Sequence, residues 1–197
     1  MQKTGQGGAV KANIEQAALK QRMQAVKLLI TDVDGVLTDG NAYYGAEGLL
    51  FKQFSMRDGF GFVMAQAAGM QLAVITGDPA PAVKHRLAKF KITHIKGGHF
   101  RKTGFFEELL DETGVREEEA AYIGDDLFDI PVLKRAGLAV APSDAHPKVI
   151  EAVHAVTDVP GGRGVVRETV EAIIHARDMW DTVLQTIEDD KGGGIRT

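Results

Sequence analysis

The sequence predicts an α/β fold, a mainly parallel and doubly wound sheet with helices on both faces, and three observations predict it. Apolar runs at 26–32, 71–75 and 120–124 each end in polar, turn-forming residues. Helical patterns at 58–68, 79–90, 102–113 and 128–136 alternate with those runs. Strands separated by helices are the pattern of parallel crossover units, in which both sheet faces need cover. With 197 residues, 44% hydrophobic and 25% charged, the chain has the composition of one globular domain with a sizeable core.

Taken in order, residues 1–8 are expected to fray and 9–25 to form a helix with Ile14, Ala18 and Leu19 on one side. Residues 1–25 therefore read as an N-terminal extension, partly helical, to a single domain over 26–188. The first strand of that domain is Val26 to Asp32. Residues 40–54 read as a protruding β-hairpin, because Tyr43-Tyr44 and Leu49-Leu50-Phe51 flank Gly45-Ala46-Glu47-Gly48, a turn composition between β-formers. Short strands at 138–141 and 155–157 extend the sheet. One long helix is expected from Arg163 to about Ile187, with Val166, Val170, Ile173, Ile174, Trp180 and Leu184 near a 3.6-residue period. Residues 189–197 are glycine-rich and read as a flexible tail, with Arg196 a candidate for reaching an adjacent site.

The chemistry begins where the first strand ends. Leu28-Leu29-Ile30-Thr31 runs directly into Asp32-Val33-Asp34-Gly35, and a β-period of two aims both carboxylates the same way while Gly35 lets the chain turn. Such a pair suits Mg²⁺, which takes oxygen donors in an octahedron and keeps places for water and substrate phosphate. A strand-end Asp can also merely cap a helix or solvate a turn. Two further strands tilt the balance, since 71–75 ends in Thr76-Gly77 and 120–124 in Asp125-Asp126. Ligands of open parallel sheets collect beyond the carboxyl ends of the strands, where Asp32, Asp34, Thr76 and Asp125 would meet. Lys102, at the start of a helical pattern, supplies an ammonium group.

Other classes are disfavoured. There is no cysteine, so neither a disulfide framework nor a thiolate metal site is available. The six histidines form no i, i+4 pair of the zinc-protease kind. The net charge is −4 and the basic residues are scattered, which argues against a nucleic-acid surface. Neither a signal-peptide core nor a membrane-length apolar run occurs, so a soluble cytoplasmic enzyme is expected.

The order DxDGxxT from Asp32, an apolar run ending in Thr76-Gly77, Lys102, then Gly124-Asp125-Asp126 resembles the haloacid-dehalogenase-like (HAD) phosphohydrolases, whose core is a Rossmann-like, HAD-type sheet. More narrowly, Lys52 to Gly59, Asp144-Ala145-His146-Pro147 and Gly161 to Glu168 resemble the 3-deoxy-D-manno-octulosonate 8-phosphate (KDO 8-phosphate) phosphatases. The resemblance implies that Asp32 attacks phosphorus and forms an aspartyl-phosphate, and that Asp34 is the acid/base, giving Mg²⁺ its backbone carbonyl. Thr76 and Lys102 would hold the phosphate and Asp125 would complete the metal shell. Asp126 would orient a metal-bound water or Lys102, and Asp129 would only cap a helix beginning near Phe128. Arg57, Asp58, Gly77, Asp78, Arg86 and Lys102 are the implied substrate contacts.

The intervals from Asp34 to Thr76 and from Lys102 to Asp125 are too short for a separate cap domain. Cover must come from loops or another subunit, and the resemblance implies a homotetramer assembled through the hairpins. One departure stands out: the family usually shows Thr-Gly-Arg where this chain has Thr76-Gly77-Asp78. Either Arg57, Arg86 or Arg163 then reads the carboxylate of a sugar acid, or the substrate is a related ester such as a nonulosonate 9-phosphate. A phosphoaccepting receiver-like switch is the non-enzyme alternative. Against it, receivers carry the phosphoacceptor on a middle strand, whereas here the acidic pair leads the chain.

Overall fold

The structure, a computed structural model, describes residues 10–189. The expectations for 1–8 and for the tail from 190 onward, Arg196 included, lie outside the described residues. Seven strands form one sheet: β1 (Lys11–Ala12), β2 (Leu28–Thr31), β5 (Gln71–Thr76), β6 (His94–Gly97), β7 (Ala120–Ile123), β8 (Leu138–Ala141) and β9 (Ala155–Val156). A separate hairpin holds β3 (Tyr43–Gly45) and β4 (Gly48–Phe51). The sheet order is β1-β9-β8-β7-β2-β5-β6, and every pairing is parallel except β1 with β9. From β2 the chain moves to β5 and β6 on one side, then returns to β7 on the other. Strand order therefore reverses at β2, which puts a crevice beyond its carboxyl end.

Alternation along the strands sorts the core into two layers. Leu29, Val74, Ile123 and Val140 pack with α1 (Gln16–Ala25), α2 (Met56–Ala67), α3 (Pro81–Ala88), α7 (Val165–Ala176) and α8 (Trp180–Asp189). Leu28, Ile30, Ile75 and Tyr122 face the other way, toward α4 (Thr103–Thr113), α5 (Ile130–Leu133) and α6 (Pro147–Ile150). The sheet is thus covered on both faces, as a parallel sheet must be. Only the hairpin and α2 lie between β2 and β5, and only α4 and a short 3₁₀ turn between β6 and β7, so no cap domain is present among the described residues.

Several elements differ from expectation for local reasons. The N-terminal helix begins at Gln16, because Lys11–Ala12 pairs with β9 as an antiparallel edge. Strand β6 carries one large apolar residue, Ile95, and pairs only with β5, so it lacks the apolar run that marks a central strand. The expected single helix after Arg163 is two. Asp178 adopts φ of 55°, its N–H donates to the His175 carbonyl, and the Met179 N–H reaches Ile174. That is a left-handed helix stop with Asp where glycine is the usual signal. The helix expected from Phe128 is a 3₁₀ turn, Leu127–Asp129, leading into α5.

Asp58 also differs. It is buried on α2, where its Oδ2 accepts from the Gly164 N–H (3.1 Å) and its Oδ1 from Val166 (2.8 Å) and Arg167 (3.3 Å). Asp58 is therefore not available as a substrate contact; it caps α7 from a neighbouring helix, satisfying N–H groups that have no partner within α7. The two helices touch closely, since a Cβ on Gly61 would lie 2.9 Å from the Arg167 backbone. Asp58→Ala leaves those N–H groups buried and unpaired, and urea unfolding should show a loss of about 1–3 kcal/mol. An unchanged midpoint would mean that the cap contributes nothing.

Candidate active site

The loop after β2 is built by backbone hydrogen bonds. The Asp32 N–H donates to the carbonyl of Ile123, the last residue of β7, extending the parallel ladder one residue past β2, and the N–H groups of Val36, Leu37 and Thr38 all converge on the Val33 carbonyl. Gly35 sits at φ of +82°, and a Cβ there would lie 2.0 Å from Asp125 Oδ2. Glycine is required twice over, by conformation and by the approach of the neighbouring carboxylate. On the outer side, the Gly162 N–H donates to the Val36 carbonyl and Asp144 Oδ1 accepts from Gly161, so the 160–164 loop holds this turn in place.

Within the crevice, Asp32 is buried, accepting from the Val33 N–H through Oδ1 (2.7 Å) and facing Lys102 Nζ through Oδ2 (2.7 Å). Lys102 enters just before α4, is 1% exposed, and reaches Asp129 Oδ1 at 2.7 Å as well. Phe128 lies beneath its ammonium, 4.6 Å from Nζ to the ring centroid. Asp129 is fully engaged. Its Oδ1 also accepts from the Tyr122 hydroxyl (2.6 Å), and its Oδ2 accepts from the N–H groups of Asp125 (3.1 Å) and Asp126 (3.2 Å).

Oxygens of Asp32, Asp125 and Asp129 all lie within 4.8 Å of one another. Three carboxylates against one ammonium leave an excess of negative charge in a buried place. Burial, opposed by Lys102, raises the Asp32 carboxyl to about 7; burial with the charges of Asp32 and Asp129 raises Asp125 to about 8. Among the described residues, Asp125 Oδ1 is buried without any partner. An orphaned acidic oxygen beside a second carboxylate is what a hard divalent cation would satisfy. Each Asp129 oxygen already has two donors, whereas each Asp32 oxygen has one and Asp125 Oδ1 none, so Asp32 and Asp125 are the side chains with capacity left to hold such an ion.

Asp34 offers no side-chain oxygen to this cluster. Its carboxylate is gripped by Lys52 Nζ at 2.8 and 2.9 Å, so any metal contact from this residue falls to the backbone carbonyl. Thr76 is buried at the end of β5; its hydroxyl donates to the Asp78 carbonyl (3.2 Å) and accepts from the Asp78 N–H (3.1 Å), shaping the following turn. Gly77 lies under Phe100, where a Cβ would come within 2.9 Å of the ring. Asp78 turns its carboxylate to Lys52 at 3.0 Å.

Asp126 and Arg86 are held by other partners, and Arg57 lines a different cavity. Asp126 does not orient Lys102; it accepts from the Leu127 N–H (2.7 Å) as cap of the 3₁₀ turn, and Asp129 is the carboxylate on the lysine. Arg86 is tied to the Ser55 carbonyl (3.1 Å) and stacks over Phe90, and so supports the start of α2. Arg57 lines a cavity of about 160 Å³ with Val159, Arg163, Gly164, Arg167, Glu168 and Glu171, whose walls include none of Asp32, Asp34 or Asp125. The sequence reading missed Asp129 and Lys52 as site residues. For Asp129 a signal existed, its i+4 spacing from Asp125; Gly124, whose Cβ would lie 2.6 Å from Asp129, marks the same approach. For Lys52 only the hairpin's path reveals the contact.

The chain is similar to known proteins of one family. Residues 87–168 match the haloacid dehalogenase-like hydrolase family. The 3-deoxy-D-manno-octulosonate 8-phosphate phosphatase KdsC of Escherichia coli is 41% identical over 165 residues, covering 84% of this chain and 88% of that protein. The crystal structure of the same-named enzyme from Yersinia pestis superposes with a TM-score of 0.82 at 38% identity, covering 89% of this chain and 96% of that one. The Moraxella catarrhalis enzyme, solved in complex with magnesium ion, phosphate ion and KDO, gives a TM-score of 0.83 at 32% identity over 88% of this chain and 99% of that one.

If Asp125 and Asp32 hold a cation, Mg²⁺ will raise the melting temperature. At about a hundredfold excess over Kd the gain is about 2.7 kcal/mol. Thermal unfolding with and without Mg²⁺ should show the shift in the wild type and lose it in Asp125→Asn. An equal shift in both would rule out this placement.

Proposed function

Since the chain belongs to the KDO 8-phosphate phosphatases of the haloacid dehalogenase-like hydrolases, we propose that it hydrolyses KDO 8-phosphate to the free sugar acid and phosphate. The observation that carries this reading is the buried Asp32–Lys102 pair at the strand crossover, a carboxylate fixed at 2.7 Å from an ammonium in a crevice rich in further acid. Mg²⁺, when bound, neutralises the approaching phosphate and supports the charge of the transition state.

The rest of the work falls to the chain. Asp32 donates an electron pair to phosphorus as the ester bond breaks, giving an aspartyl-phosphate. Asp34, protonated on one oxygen and held by Lys52 through the other, delivers that proton to the departing sugar oxygen, then takes one from the water that attacks the acyl phosphate. Charge on the equatorial oxygens is met by the Lys102 ammonium and by the Thr76 hydroxyl, whose proton turns from the Asp78 carbonyl to the phosphate. Asp129 and Tyr122 hold Lys102 in line.

In the same reading the hairpin is the assembly surface of a homotetramer working in the cytoplasm. Tyr44 and Leu50 on it are 70% and 66% exposed, beside Phe51. Apolar side chains gathered at one protruding tip favour burial against another copy. No helix among the described residues is long and apolar enough to cross a membrane.

A second substrate is favoured by one observation, the Asp78 carboxylate at the turn that follows Thr76. With the Lys52 ammonium 3.0 Å away that carboxylate adds little net charge, but where the family usually places an arginine it offers only a hydrogen-bond acceptor, which suits a hydroxyl or amine, as on a nonulosonate 9-phosphate. Initial rates on both esters, with Mg²⁺ and with EDTA, in wild type and Asp78→Arg, test the assignment. Sustained, EDTA-sensitive turnover with higher kcat/KM on KDO 8-phosphate is expected, and Asp78→Arg should shift the ratio of the two by about tenfold, or about 1.4 kcal/mol. Preference for the nine-carbon ester would replace the substrate assignment. Release of a single slow equivalent of phosphate would favour a phosphoaccepting switch.

A further inference from the structure

Lys52 has no part in the chemistry described above, yet its ammonium lies at the centre of the site's outer half. It is the first residue after β4, and its side chain is only 2% exposed. An ammonium has three N–H donors. Here they meet three acceptors: Asp34 Oδ1 (2.8 Å), Asp34 Oδ2 (2.9 Å) and Asp78 Oδ2 (3.0 Å). Three chain segments converge on this one atom: the loop after β2, the foot of the hairpin and the turn after β5.

Without Lys52 the Asp34 side chain would have nothing to fix its torsions. Asp34 is the more exposed of the two carboxylates that follow β2, and among the described residues its oxygens have no hydrogen bond besides those from Lys52. A proton donor must meet the leaving oxygen within hydrogen-bond reach and in line, so a freely turning carboxyl group is a poor one. Asp78 adds what a simple ion pair lacks. By sharing the ammonium it anchors Lys52 to the rigid end of β5, and the hairpin foot is fixed with it. The hairpin itself is stiffened by Tyr43 stacked on Phe51 at 4.3 Å, so its docking surface and Asp34 are mechanically joined through Lys52.

We propose that Lys52 is a positioning residue that holds Asp34 for transfer of a proton to the leaving group, with Asp78 as the second anchor of its ammonium. The proposal rests on the assignment of Asp34 as acid/base. Its signature is selectivity for the leaving group: a sugar alkoxide needs a proton as it departs, whereas 4-nitrophenolate leaves readily without one.

The experiment measures kcat and KM on KDO 8-phosphate and on 4-nitrophenyl phosphate for wild type, Lys52→Met, Asp78→Asn and Asp34→Asn. Lys52→Met should lower kcat on the sugar phosphate at least about tenfold more than on the nitrophenyl ester, with KM changing less. Asp78→Asn should show the same bias, smaller. Should Lys52→Met not fold, the bias in Asp78→Asn decides. Equal losses on both esters in the Lys52 and Asp78 variants, while Asp34→Asn is selective, would overturn the role of Lys52 alone. Absence of selectivity in Asp34→Asn itself would instead overturn the acid/base assignment, and the proposal with it.

Discussion

The site depends on one ammonium group that water hardly reaches. Burying a charge costs several kcal/mol unless partners replace its hydration, and Lys102 has Asp32 and Asp129 at 2.7 Å each. Asp129 in turn is satisfied by the Tyr122 hydroxyl and by two backbone N–H groups, so the lysine cannot relax toward another partner. The pair Asp32–Lys102 is therefore set before any ligand arrives. One ammonium does not balance three carboxylates, and the imbalance gathers on Asp125, whose Oδ1 has no donor. A phosphate ester carrying its own negative charge could not approach Asp32 in such a field. A divalent cation held by Asp32 and Asp125 would supply positive charge for the phosphate and a partner for Asp125 Oδ1.

The scaffold makes this arrangement possible by reversing its strand order at β2. Asp32 leaves the end of β2, Asp125 the end of β7 and Thr76 the end of β5, so three adjacent parallel strands deliver three groups to one crevice. Close approach of the loops then needs glycine at the crossing points. Gly35 admits Asp125, and Gly161 packs on the Gly35 carbonyl, where a Cβ would lie 2.1 Å from the oxygen. Behind them, Asp58 fixes the start of α7 and with it the loop that braces the turn after β2. Stability and chemistry meet in these few backbone contacts.

Much of this was legible in the sequence because strand ends in a parallel sheet are marked by abrupt changes from apolar to polar residues. Asp32, Thr76 and Asp125 sit at such changes and Lys102 at a helix start; the structure brings Asp32, Lys102 and Asp125 together, with Thr76 at the end of the adjacent strand. Residues whose meaning depends on a partner far along the chain were not legible. Asp58 reads as a polar residue on a helix, and only the packing of α2 on α7 shows that it faces N–H groups more than a hundred residues away. Asp126 and Asp129 are both acidic and three apart; burial assigns the cap to one and the lysine to the other. Lys52 lies at the foot of the expected hairpin, and nothing local to it marks its contact with Asp34 and Asp78. The break between α7 and α8 escaped because Asp178 replaces the glycine that ordinarily signals it.

The most direct measurement is to trap the transferred group. Enzyme quenched in acid during turnover of a phosphate-labelled substrate, then digested and sequenced, should carry acid-stable, base-labile label on the peptide containing Asp32, with label dependent on Mg²⁺. Turnover that leaves no label on the protein, or label placed on any other residue, would contradict nucleophilic attack by Asp32.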